Sequence, residues 1–375
     1  VNLLFVSHSF APESDPLSNV GGMQRVAMDL HAELERREDV TLTSLVLRTT
    51  WAATGWRTPG FLARALRDIP RLVAQRDIDV ILFSSMVTAT LALRLRMVLP
   101  TRVKLVAITH GLDVTTTFAP YQRWVVPASF RRLDAVCPVS RATAEACIAR
   151  GARKDQIFVV PNGIEEDRIP AGVSQTAARE SLPHPIPAPD RQLLVSVGRQ
   201  VRRKGFAWFI RNVMPRLPET VDYWLAGDGP ERQNILAAIT ETRMENRVRL
   251  LGKVDTETLH ALYAAGDIYV MPNIVVPGDM EGFGIVMLEA GLAGLPTVAS
   301  SLEGILDVID EGKNGLLVKP ESPDAFVGAI KRVLEQPETL RAARDRARKH
   351  VLATFTWPAV ADRMVATLRE SVLAS

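Results

Sequence analysis

The first fifty residues constrain the fold most. Asn2 to Ser7 is a nearly unbroken apolar run, as expected of a strand buried on both faces of a parallel sheet. A loop with two prolines is expected from His8 to Asn19. Gly21-Gly22 then opens a helix, MQRVAMDLHAELERR, whose Met23, Val26, Leu30 and Leu34 fall on one face. Val40 to Leu47 reads as the next strand. Strand, glycine turn, helix and strand in succession make a βαβ unit, which commits the chain to a parallel sheet with helical crossovers. Similar runs recur at Val80–Ser84, Lys104–Thr109, Ala135–Ser140 and Ile157–Ile164. A second set occupies Leu193–Gly198, Tyr223–Ala226, Val248–Gly252, Ile268–Met271, Val298–Ser301 and Asn314–Val318. Between the sets lies SLPHPIPAPD, with four prolines in ten residues. An α/β protein is expected, with a first domain over 1–167, a linker over 168–191, a second domain over 192–356 and a C-terminal helix over 357–375.

The 375 residues suffice for two cores, and 47% are hydrophobic. No apolar run is long enough to cross a membrane and no signal-peptide pattern is seen, so cytoplasmic residence is expected. Cys137 and Cys147 form neither a disulfide framework nor a metal-ligand spacing, and reduced, buried thiols are expected. The net charge of +3 is unevenly spread: from Arg48 to Arg132 there are thirteen Lys and Arg against four Asp and Glu. That stretch suits an anionic partner such as a phospholipid surface or an acidic acceptor, or else forms a solvated face. Its segment TGWRTPGFLARALRDIPRLVAQR promises amphipathic, basic helices on either side of Pro70, suited to a membrane surface or to covering the sheet.

Three clusters carry chemistry. In PGDMEGFGIVMLEAGLAGLPTVA, Pro277 to Ala299, Glu281 lies in a loop. Gly282, Phe283 and Gly284 open a helix, Ile285 follows, and Glu289 sits on the second turn. Free N–H groups at a helix start suit an anion, glycines admit close approach, and two carboxylates suit the hydroxyls of an elongated ligand. The plain alternative is that Glu281 caps the helix and Glu289 is solvated. Arg199 to Gly205, RQVRRKG, sets cations just past a strand, an anion site in kind. His110-Gly111-Leu112-Asp113 follows another strand, where α/β sheets place ligands, although a lone histidine can equally be structural. No G-x-G-x-x-G occurs, which disfavours a dinucleotide-binding dehydrogenase.

These motifs, in order, resemble the retaining glycosyltransferases of family 4, with the GT-B fold. Glu281 to Glu289 is similar to the family's E-x7-E signature, Arg199 and Lys204 to its GR-x4-KG element, GGMQR to its GG loop and NGLLV at Asn314 to its late strand. The resemblance implies two Rossmann-like domains facing each other across a cleft, with the C-terminal helix crossing back to the first. It implies transfer of a hexose from a nucleoside diphosphate sugar, with GDP-mannose favoured over UDP-sugars, to a hydroxyl of a glycan, lipid-linked or small-molecule acceptor. It implies His110, Arg199, Lys204 and Glu281 as catalytic. Gly21, Gly22, Val254, Gly282, Phe283, Gly284, Ile285 and Glu289 would bind the donor, and Asp113 and Arg25 would serve the acceptor. No cofactor beyond the donor substrate, no metal and no nucleic-acid partner are expected, and residues 48–132 are candidates for contact with an anionic membrane surface at the inner face. A UDP-sugar 2-epimerase, an inverting transferase and a non-catalytic binding protein of the same fold are the alternatives. Relatives often carry Gly-Gly or Ala-Gly in the loop where this chain has Glu303-Gly304.

Overall fold

The computed structural model describes residues 1–14, 22–116, 118–183, 191–335 and 337–374. Gly21 lies outside them. The chain forms two compact units, one built from Val1–Gly163 with Trp357–Ser375, the other from Ile164–Thr356. The division falls four residues before the expected Asp167 boundary.

The first unit holds a parallel sheet of β1 (Asn2–Phe10), β2 (Thr41–Arg48), β3 (Val80–Phe83), β4 (Lys104–Thr109) and β5 (Ala135–Pro138), in the order β2-β1-β3-β4-β5. Leu3, Leu4, Phe5 and Val6 of β1 are fully buried, as a central strand covered on both faces requires. The strand runs past Ser7, where a loop was expected. The Phe10 ring packs edge-on against His31, as Phe5 does, which keeps the chain extended and buried to that point. Residues 157–164, expected as a last strand, run beside β5 without completing a ladder. Phe158 and Val160 donate to the Val136 and Pro138 carbonyls, but Pro138 has no N–H to return a bond.

The expected break at Pro70 does not occur. A single helix, Trp51–Gln75, continues through Pro59 and Pro70. Phe61, Ala65, Ile69 and Val73, spaced by four, bury one face in the core, and that packing outweighs the lost backbone bonds. The C-terminal helix Trp357–Ala366 belongs to this unit, and Arg37 pairs with Asp362 at 2.6 Å.

The second unit holds β6 (Gln192–Val197), β7 (Val221–Ala226), β8 (Val248–Gly252), β9 (Ile268–Met271), β10 (Thr297–Ser300) and β11 (Gly315–Val318). The order β11-β10-β9-β6-β7-β8 is that of a doubly wound dinucleotide-binding sheet, and the strand order reverses between β6 and β9. Buried tyrosines lock the centre: Tyr223 donates to Ser196 Oγ (2.8 Å) and Tyr269 to the Val197 carbonyl (2.9 Å). Part of the expected linker is structured here. The helix Gln175–Ser181 is tied by Gln175 and Arg179 to Asp267 at 2.8 Å each. Ile164 donates to the Phe355 carbonyl at 2.8 Å, so the two ends of this unit meet.

Candidate active site

Loops leave the carboxyl ends of β6 and β9 side by side at the switch point, where open α/β sheets bind ligands. After β6 the chain makes a short 3-10 turn, Arg202–Lys204, and closes it at Gly205 with φ +67. A Cβ there would lie 1.9 Å from the Pro272 carbonyl oxygen, so only glycine lets this turn pack on the β9 loop. The turn aims Lys204 inward. Its Nζ lies 2.7 Å from Glu281 Oε2, and both side chains are buried. Asn273 Nδ2 donates to the same oxygen at 3.3 Å, and Arg203 Nε stands 3.5 Å from it. Burial alone would raise the Glu281 carboxyl, but Lys204 and Arg203 outweigh it and hold the group below its ordinary range. Burial likewise draws the Lys204 ammonium down, against the pull of Glu281.

Arg203 is also committed here, with Asp279 at 2.8 Å. Arg199 is exposed at the end of β6, and its guanidinium has no partner among the described residues.

The helix after Glu281 starts later than its glycines suggest. It spans Val286–Leu292, with Ile285 at the N-cap position. Gly284 has φ +85, a left-handed conformation that precedes the helix, so Gly282 to Gly284 form a loop and Glu289 falls in the first turn. Phe283 anchors the loop, buried against Phe355 with ring centroids 6.1 Å apart. The N–H groups of Gly282, Phe283, Gly284 and Ile285 make no hydrogen bond among the described residues. Four successive donors left so, in the same unit as Arg199 and Lys204, suit an anion with several oxygens.

Glu289 is buried, accepting from Tyr263 Oη at 2.9 Å and from Arg168 Nε at 3.3 Å. Val254 is half-buried in the turn after β8, ahead of the helix Thr256–Ala265.

The first unit gathers a second polar group. His110 Nε2 lies 2.9 Å from the Ser84 carbonyl. A carbonyl only accepts, so Nε2 carries a proton, and Nδ1 makes no hydrogen bond among the described residues. Asp113 is spent on the backbone: its oxygens take the His110 N–H (2.8 Å) and the Met86 N–H (2.9 Å), which fixes the HGLD loop. His8, on β1 one strand away, has its pKa lowered to about 4, chiefly by burial. Gly22 is the exposed first residue of the helix Gly22–Arg36, and Arg25 is half-buried on its first turn.

Arg203, Asn273, Arg168, Tyr263 and His8 were not assigned to a site from sequence. Arg203 and Asn273 adjoin recognised motifs, and Arg168 follows Pro161-Asn162-Gly163 by five residues. Tyr263 carries no local signal, since only the sheet brings its helix to Glu289. Both cysteines are buried, which pushes each thiol up to about 12.

Family models match most of the chain. One, described as Glycosyltransferase Family 4, covers residues 20–168, and another, Glycosyl transferases group 1, covers residues 191–336. The GDP-mannose-dependent alpha-(1-6)-phosphatidylinositol monomannoside mannosyltransferase of Mycobacterium tuberculosis is 28% identical over 305 residues, 80% of this chain and 78% of that protein. The putative colanic acid biosynthesis glycosyltransferase WcaL of Salmonella typhimurium is 26% identical over 355 residues, 91% and 83% of the two chains. Among solved structures, Anabaena HepE in complex with UDP superposes with a TM-score of 0.76 at 19% identity, covering 98% of this chain and 99% of that one. Sucrose-phosphate synthase from Thermosynechococcus elongatus gives 0.76 at 22% identity over all of both chains.

Proposed function

Because the chain belongs to the group 1 glycosyltransferases of family 4, we propose that it transfers a hexose from a nucleoside diphosphate sugar to an acceptor hydroxyl with retention of anomeric configuration. The observation that carries this reading is the site at the second unit's switch point. There Glu281 of the buried Lys204–Glu281 pair immediately precedes, in the chain, a loop whose four amides, like the Arg199 guanidinium past the adjoining strand end, have no partner among the described residues. The bond from the anomeric carbon to the diphosphate oxygen breaks, and negative charge grows on the leaving group. Arg199, Lys204 and the Gly282–Ile285 amides are assigned to that charge, which is electrostatic catalysis by fixed donors. The acceptor oxygen bonds the anomeric carbon on the same face, and its proton passes to a phosphate oxygen. Glu281 orients the donor sugar and Glu289 takes ribose hydroxyls. In the first unit, His110 offers Nδ1 to a sugar hydroxyl.

GDP-mannose is the favoured donor, on the strength of the mycobacterial relative and the EGFGIVMLEA wording. A thermal-shift panel of GDP, UDP and ADP with their sugars tests this, since saturation at a hundredfold over Kd stabilises by about 2.7 kcal/mol. A rise with UDP-sugars alone overturns the donor, and no rise with any member overturns the reading. Anomer analysis of the product by NMR tests retention, and an inverted product sinks it.

The acceptor is placed in cell-envelope or glycan biosynthesis, where the relatives' names lie. A lipid-linked acceptor suits the first unit, where Trp56 is 75% exposed on a helix that also exposes Arg64, Arg67 and Arg71. No described helix is long and apolar enough to span a membrane. Binding to vesicles with anionic lipid, lost on Trp56→Ala with Arg64→Glu, is the expected result, and equal binding to neutral vesicles overturns the membrane contact.

A further inference from the structure

Glu303 departs from ordinary backbone geometry. Its φ is +49, a left-handed conformation that glycine adopts freely and glutamate does not. Its carboxylate Oε2 accepts the backbone N–H of Glu281 at 2.5 Å, a short bond to an anionic acceptor. The next residue, Gly304, donates its N–H to the Glu281 carbonyl at 3.1 Å. A Cβ on Gly304 would stand 2.2 Å from the Gly282 carbonyl oxygen, so the two loops touch backbone to backbone. Both main-chain groups of Glu281 are thus held by one dipeptide after β10, while Lys204 and Asn273 hold its carboxylate. Burial raises the Glu303 carboxyl above its ordinary range. The Glu281 N–H and Arg203 oppose the rise, and the charges of Glu281 and Asp279 add to it. An acid kept next to acids, on a backbone that favours glycine, must return something through its side chain.

We propose that Glu303 is a positioning residue. It locks the Glu281 main chain, and through it keeps the free Gly282–Ile285 amides arrayed for the diphosphate of the donor. The proposal rests on the glycosyl-transfer reading of this site, and its two halves are separable by experiment.

Glu303→Gly and Glu303→Gln are compared with the unaltered full chain. Glu303→Gly suits the backbone but deletes the acceptor, whereas Glu303→Gln keeps an amide oxygen in its place. Hydrogen exchange at the Glu281 amide is expected to quicken about tenfold in Glu303→Gly and to stay within about twofold in Glu303→Gln. Turnover of the sugar nucleotide, to acceptor or to water, should show kcat down about tenfold in Glu303→Gly, with nucleoside diphosphate affinity lowered as the amides lose their array and the melting temperature unchanged. Unchanged exchange or unchanged kcat overturns the proposal. A melting temperature that falls in step with kcat and nucleotide affinity makes Glu303 merely structural and overturns it too. Altered exchange in a protein whose unaltered form turns over no sugar nucleotide overturns the transfer reading, and with it the catalytic half of the proposal.

Discussion

Lys204 and Glu281 sharing one buried contact has a consequence for mutagenesis. Removing Glu281 leaves Lys204 as an uncompensated buried charge, which costs about 3–5 kcal/mol. Glu281→Ala is therefore expected to abolish transfer and also to destabilise the second unit by about that amount. Lys204→Met combined with Glu281→Leu should recover most of the stability and none of the activity, as denaturant unfolding and donor turnover would show. A double variant that loses the sum of the two single losses would mean the pair is not coupled. His8 gives a pH signature in the first unit. Its folded pKa of about 4 lies below the ordinary 6.5, so the unfolded chain takes up the proton first. The stability it supports is full above pH 6.5 and falls as the pH drops towards 4, by roughly 3 kcal/mol in all. His8→Asn should flatten that part of the curve relative to the parent, and an identical acid profile would show that the histidine is not buried neutral.

At the scale of elements, the site is made by the ends of strands and the turns that follow them. Gly205 and Gly284 both have positive φ, but they differ in what surrounds them. A methyl group at Gly205 meets a backbone carbonyl at 1.9 Å, whereas at Gly284 it meets the flexible tip of Met287 at 2.7 Å. Gly205→Ala is expected to lower the melting temperature of the second unit clearly more than Gly284→Ala, which should chiefly depress turnover. The reverse order, read by calorimetry and donor kinetics, would contradict the packing. The difference also shows how much was legible. Nearly every strand could be read, because burial on both faces writes itself as an apolar run. The motif residues could be placed on strand ends for the same reason. The helix start was misplaced because glycines that open a helix and glycines that precede one look alike until φ is known. Local propensity splits the proline-bearing helix Trp51–Gln75 at Pro70 because it cannot weigh Phe61, Ala65, Ile69 and Val73 packing together. Tyr263 and Arg168 could not be assigned, since only tertiary structure brings them to Glu289.

For the whole molecule, the second unit is a closed insert. Its ends meet where Ile164 bonds to Phe355, and the first unit resumes at once with Trp357 against Gly163. Domains with adjoining ends tolerate excision. Residues 164–356 alone are expected to unfold in one cooperative transition and to show the same nucleotide-induced stabilisation as the full chain. Removal of 357–375 should collapse the first unit while leaving that response intact. Trp357, Val360, Met364, Leu368 and Val372 are all buried, and each contributes about 1.5–3 kcal/mol of gross burial. A fragment 164–356 without a cooperative transition would show that the second unit depends on the first.

The first unit's borrowed helix also sets the timetable of biogenesis. The leading 163 residues emerge from the ribosome long before the segment that covers their helix Gly22–Arg36, and the insert can finish folding while they wait. Until residues 357–375 are made, the nascent chain carries an uncovered apolar flank. Chaperone demand should therefore fall on residues 1–163.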